Sequence, residues 1–185
     1  FRGNKLKHFE EVKKEQERNI KELRAKAIYF IENRLKPIEQ IYACLLSGSV
    51  ARGDYFPGEK GGAIDLSVFV NNKKTFDIEK YFGKSDSEIN IFHMLKDDDG
   101  IYYQIQIFDD EYFNNYKKMP EAGKFSLYES EIIYDSNEQF KAKFENIREN
   151  IGKDEIIEKL IDRTEYVKYL INDYKVDRWK RRNAI

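Results

Sequence analysis

The chain has 185 residues, with 33 Lys and Arg set against 34 Asp and Glu for a net charge of −1. That balance excludes a molecule-wide basic field for capturing nucleic acid or a membrane surface. A content of 41% hydrophobic and 15% aromatic residues excludes a solvated, coreless polymer. The single cysteine, Cys44, excludes an internal disulfide framework, so a reducing, cytoplasmic setting is expected. No apolar run approaches the roughly 18 residues of a membrane span, and no signal-like segment opens the chain. The length suits one domain with a helical appendage. The expected division is a core over residues 1–150, N-terminal helix included, and a helical segment over 151–185. A start at Phe1 and an end at RWKRRNAI, without a helix-stop signal, read as a fragment.

In chain order, residues 5–35 contain no Gly or Pro and are rich in helix formers. Leu6, Phe9, Val12, Ile20, Leu23, Ala27, Phe30 and Ile31 recur at mostly three- and four-residue steps, which predicts one long helix or two short ones ending at Lys36-Pro37. IYACLLSG (41–48) is a continuous apolar run, expected as a strand buried on both faces. AIDLSVFV (63–70) alternates, with Ala63, Asp65, Ser67 and Phe69 on one side and Ile64, Leu66, Val68 and Val70 on the other. FDIEKYFG (76–83) reads as a helix closed by Gly83. EINIFHML and IYYQIQIF read as strands joined by the turn KDDDG. Two short helices, a strand near SEIIYD and a helical last 50 residues complete the reading. The expected class is α+β, a small mixed sheet with helices at both chain ends.

Between the first two strands lies GSVARGD (48–54), read as a small polar loop. A glycine-serine turn after a buried strand exposes bare N–H groups and a hydroxyl at one spot, an arrangement suited to phosphate oxygens. Gly48, Ser49, Ala51, Arg52 and Gly53, followed by AIDL, resemble the nucleotidyltransferase superfamily, whose pattern is a strand, GS-x-A-R-G, a variable loop and S-D-I-D-L on the next strand. DGIYYQIQIFDDEYF and ESEIIYDSNEQF are similar to later segments of aminoglycoside and lincosamide nucleotidyltransferases, so the resemblance covers roughly residues 41–145. It implies a DNA polymerase β-like fold and transfer of a nucleoside monophosphate from an NTP to an acceptor hydroxyl. Gly48, Ser49 and Arg52 would bind the nucleotide, and carboxylates would hold two Mg²⁺ ions.

Set against that pattern, Asp65 is the second acid, Ala63 stands at the place of the first, and Gln104 or its alternate Gln106 at the place of the third. Asp65 is the one expected catalytic and metal-binding carboxylate. Alanine offers no ligand atom and an amide carbonyl is neutral. Losing two formal charges where two dications must gather costs on the order of several kcal/mol of metal binding. Efficient Mg²⁺-assisted transfer is therefore not expected. Two separate losses suit natural degeneration better than one engineered Asp-to-Ala change. The expectation is a degenerate or weakly active nucleotide-binding member; the alternative is an active transferase acting on a small hydroxylated acceptor such as an antibiotic.

The remaining candidates have plainer readings. Arg52 either meets a triphosphate or anchors the loop to a carboxylate. Asp54 reads as a turn residue, Asp109 and Asp110 as helix caps, and Glu59 and Glu88 as exposed acids. Lys60 reads as solvated, and Gly58, Gly61 and Gly62 as loop residues. His93 reads as a hydrogen-bonded core histidine and Cys44 as a small core residue; neither Cys44 nor His8 has partners at metal-ligand spacing. Tyr102, Tyr103, Tyr112, Phe113 and Tyr116 are core and helix-packing residues, with one ring available to stack on a base. The basic run Lys175, Arg178, Lys180, Arg181 and Arg182 reads as a solvated helix end. Expected partners are a nucleotide or other small molecule, with no membrane and no nucleic acid. The C-terminal helix is offered to a protein partner or a second copy.

Overall fold

The computed structural model describes residues 2–55, 63–86, 92–136, 138–151 and 164. The chain divides into one compact unit over Phe1–Ile147 and another over Arg148–Ile185. The expected C-terminal helix, its basic run, the loop holding Glu59 and Lys60, and Glu88 lie outside the described residues.

The uninterrupted run of helix formers folds as one helix, α1 (Arg2–Phe30), which widens into a π turn over Ile31–Leu35. The turn closes with the Lys36 N–H donating to the Ile31 carbonyl at 2.9 Å, directly before Pro37. Leu23, Ala27, Phe30, Ile31 and Leu35 form its buried stripe.

The strands are β1 (Ile41–Ser47), β2 (Ala63–Val70), β3 (His93–Lys96), β4 (Tyr102–Phe108) and β5 (Glu131–Asp135). They form one sheet in the order β3-β4-β2-β1-β5. The β2–β4 pairing is parallel and the other three are antiparallel, so the sheet is mixed and the protein is α+β. A parallel neighbour needs a crossover; here it contains α3 (Ile78–Phe82) and β3. Asp77 caps α3 by accepting from the Lys80 N–H, and Gly83 closes it at φ +77°. The β3–β4 hairpin turns through Asp97–Gly100, as KDDDG predicts, with Gly100 N–H on the Asp97 carbonyl at 3.0 Å.

The alternation along β2 gives the sheet two unlike faces. Ile64, Leu66 and Val68, with Cys44, Leu46, Tyr103 and Ile105, join the core cluster that includes the α1 stripe. Within it the Phe30 and Tyr103 rings stack at 4.2 Å. Each such buried side chain contributes roughly 1.5–3 kcal/mol. Burial drives the Cys44 thiol well above its ordinary pKa, leaving it an inert packing residue.

The opposite face is apolar only at one end. There Phe69 packs on Phe113 of α4 (Asp110–Asn114) at 5.1 Å and on Phe140 of α6 (Glu138–Asn150) at 4.8 Å. Asp109 caps α4 as expected, accepting from the Glu111 N–H. Asp110 instead accepts from the Tyr42 hydroxyl at 3.0 Å and from Lys143 at 2.9 Å, tying α4 to β1 and α6. At the other end, Asp65, Ser67 and Ser47 are left for α5 (Glu121–Glu129) to approach.

One core expectation needs correcting. His93 is buried, 6% exposed, in register with Ile105 and beside the Phe82 ring, but its Nε2 makes no hydrogen bond among the described residues. Burial lowers its pKa, opposed by the charges of Glu79 and Asp86. An orphaned buried polar atom costs about 1–3 kcal/mol. His93→Leu is therefore expected to stabilise the fold by about 1 kcal/mol at pH 7.5. The gain should widen at pH 5.5, because a base with a depressed folded pKa destabilises as pH falls below its unfolded value. Urea midpoints at the two pH values check this; an unchanged or lower midpoint at both would refute it.

Candidate functional site

The expected polar loop after β1 is instead a short helix, α2 (Gly48–Arg52). Val50 and Ala51 are buried and draw the segment onto the core, while Gly48 (φ +68°) and Gly53 (φ +80°) supply the left-handed residues that open and close it. Gly48 is glycine for a second reason. A Cβ there would fall on the Asp65 carboxylate, 2.9 Å from Cγ, so backbone and carboxylate pack with nothing between them.

The parallel register then completes the constellation. Asp65 lies opposite Gln104, Ser67 opposite Gln106 and Phe69 opposite Phe108, while Ser47 of β1 faces Asp65 from the other side. Gly48, Asp65 and Gln104 line a single cleft of about 520 Å³. Its far wall is α5 with the segment before it, contributing Met119, Pro120, Gly123, Ser126 and Leu127, and Tyr112 of α4 lines its aromatic end.

A chain of hydroxyls runs beneath this cleft. Ser130 donates to the Ser126 carbonyl at 2.6 Å and lies 2.8 Å from the Ser47 hydroxyl, which lies 3.4 Å from that of Ser67. With the Ser130 proton committed, Ser47 donates to Ser130 and Ser67 to Ser47. The Ser67 oxygen thus faces the cleft as an acceptor.

Asp65 is the only formally charged residue among the described residues of the lining. Its carboxylate has no hydrogen bond among the described residues, and desolvation raises its pKa from 3.8 to about 6, with the Arg52 charge pulling the other way.

Ser49 and Arg52 do not line the cleft. The Arg52 Nε donates to both Asp54 oxygens at 3.0 and 3.1 Å, and its Nη1 to Glu129 at 3.1 Å. Those bonds, Asp54's foremost, raise the guanidinium pKa against its burial. Burial raises the Glu129 carboxyl despite the Arg52 charge. In the structure, then, Arg52 anchors α2 to α5, the second of its two sequence readings. Arg24 of α1 braces the same turn, pairing with Glu131 and reaching the Val50 and Ala51 carbonyls at 3.4 and 3.5 Å.

A two-ion cage does not fit this site. Among the described residues no group of three or more His, Cys, Asp or Glu side chains converges to hold a metal ion. Ala63 precedes Asp65 on β2 but has no donor atom, and Gln104 opposite it is neutral. Asp54 is engaged by Arg52, and Asp109 and Asp110 by α4 and Lys143.

Seven lining residues had no signal in the sequence: Ser47, Met119, Pro120, Gly123, Ser126, Leu127 and Ser130. They meet because β5 pairs with β1, which carries the end of α5 back over the sheet. No helix among the described residues is long and apolar enough to cross a membrane. No protein-family model matches the chain, and no curated protein proves similar to it.

Proposed function

We propose that this is a nucleotidyltransferase-fold protein of the cytoplasm whose cleft binds a nucleotide without the two-metal transfer chemistry. The observation that carries the reading is the bare Gly48 backbone set directly against Asp65, with Gln104 in register beside it, all facing one cleft. A cleft of this volume suits a small molecule. Phosphate oxygens would approach the backbone at Gly48, which lines the cleft beside Asp65. The chemistry of the donor set supports the second half of the reading. One carboxylate flanked by an alanine and a glutamine cannot gather two hard dications.

Thermal shift with ATP, CTP, GTP and UTP, each with and without Mg²⁺ or Mn²⁺, tests this. At a ligand concentration 100-fold above Kd, stabilisation of about 2.7 kcal/mol is expected, and it should not depend on metal. Stabilisation that appears only with metal, joined by pyrophosphate release with a panel of hydroxylated acceptors, would show an active transferase instead. No shift with any nucleotide would overturn the reading altogether.

A further inference from the structure

We infer that the side chain of Gln106 reads the edge of a nucleobase, and that Phe108 with Tyr112 receives its ring, so that adenine is the base this cleft accepts. The inference rests on the nucleotide reading for the phosphate end and adds the chemistry of the other end. Gln104 and Gln106 are half-buried, alternate on β4 and so share the cleft face. Neither amide makes a hydrogen bond among the described residues. Two donor-and-acceptor pairs, roughly 7 Å apart along the strand, therefore line a concave space with nothing among the described residues to satisfy them. Half-buried amides left so are costly unless water or a ligand completes them.

One step further along β4 the wall becomes aromatic. The Phe108 and Tyr112 rings lie 4.1 Å apart, tilted by 45°, and both line the cleft. The Tyr112 hydroxyl has no partner among the described residues, and desolvation pushes its pKa up to about 12, so it remains a donor. From Gln104 to Phe108 the strand advances roughly 13 Å, so the polar and aromatic ends are well separated along one wall.

The choice of base follows from the donors present. A primary amide pairs in two-point fashion with an adjacent amino donor and ring acceptor, an edge that adenine and cytosine both offer, and the aromatic end favours the larger purine ring. The guanine edge with two acceptors calls for Arg or Lys, and neither is among the described residues that line this cleft. On this reading Gln106 is a specificity-determining residue, and Gln104, opposite Asp65, belongs to the phosphate end.

Binding of adenosine, guanosine, cytidine and uridine, all free of phosphate and metal, tests the base-reading end by calorimetry. Inorganic tripolyphosphate tests the Gly48 end separately. Adenosine is expected to bind best, and Gln106→Leu and Gln106→Asn to weaken it at least tenfold while tripolyphosphate binding stays unchanged. Unchanged tripolyphosphate binding also shows that both variants are folded. If tripolyphosphate binds but adenosine does not, or if adenosine keeps its affinity in both variants, the base-reading role is wrong and the nucleotide reading survives. If adenosine binds through Gln106 while tripolyphosphate and every nucleotide fail, the base-reading role stands and the phosphate reading falls. Failure of all these ligands overturns both.

Discussion

Asp65→Asn is expected to raise the melting temperature at pH 7.5 by roughly 3–10 °C, an unusual gain for a change in the centre of a binding cleft. The carboxylate is half-buried beside a bare backbone and has no hydrogen bond among the described residues, so desolvation lifts its pKa from 3.8 to about 6. A shift of that size corresponds to about 3 kcal/mol at most between the two protonation states. For an acid whose folded pKa is raised, the charge penalty is absent below the unfolded value, grows between pH 3.8 and about 6, and is complete above that. The advantage of asparagine should therefore be full above pH 7, shrink as pH falls through 6 and vanish near pH 4. Melting curves across that range check it. Equal melting temperatures for the two proteins at pH 7.5, or a less stable variant, would show that Asp65 is compensated by a partner beyond the described residues.

The same substitution separates the two modes of nucleotide binding. Beside a polyphosphate, the Asp65 charge is repulsive unless a cation lies between them. Removing it should tighten metal-free ATP binding at least tenfold, about 1.4 kcal/mol. A site that depended on a metal ion would respond in the opposite sense, because its one anionic ligand would be gone. Isothermal titration of the variant with ATP in the presence of a chelator gives the sign directly.

The second large effect is expected at Gly48. Gly48→Ala must adopt φ +68° with a side chain, which costs about 1–2 kcal/mol, and must also displace Asp65, whose Cγ and Cβ would lie 2.9 and 3.2 Å from the new methyl group. A total loss of about 3 kcal/mol or more is expected in the denaturant midpoint, with loss of ligand binding at that end of the cleft. In an Asp65→Ala background the steric part should largely disappear while the backbone strain remains. The double-mutant cycle should then show a coupling of at least about 1 kcal/mol. A Gly48→Ala protein of unchanged midpoint, or additive behaviour of the two changes, would refute the close packing on which the cleft is built.

The local elements were legible in the sequence because local patterns encode them. The Gly- and Pro-free run before Pro37 specifies helix, though not whether one or two, the apolar run at Ile41 a strand buried on both faces, and the alternation around Asp65 a strand with one polar face. Gly83 and Asp109 marked helix ends through capping chemistry that acts within a few residues. His93 was legible as buried, but its partnerless Nε2 among the described residues was not, since a missing partner is a property of its surroundings rather than of its spacing.

What sequence alone established about this protein is its class, its helices and strands, and the scarcity of carboxylates around Asp65. Tertiary structure decided the rest. GSVARGD became a helix because Val50 and Ala51 had a core to enter, and Arg52 became an anchor because α5 brought Glu129 to it. The cleft itself exists because β2 and β4 pair in parallel while β5 returns α5 over the open face. Such pairings join segments tens of residues apart, and their energy comes from burial and hydrogen bonding between surfaces that no local periodicity describes.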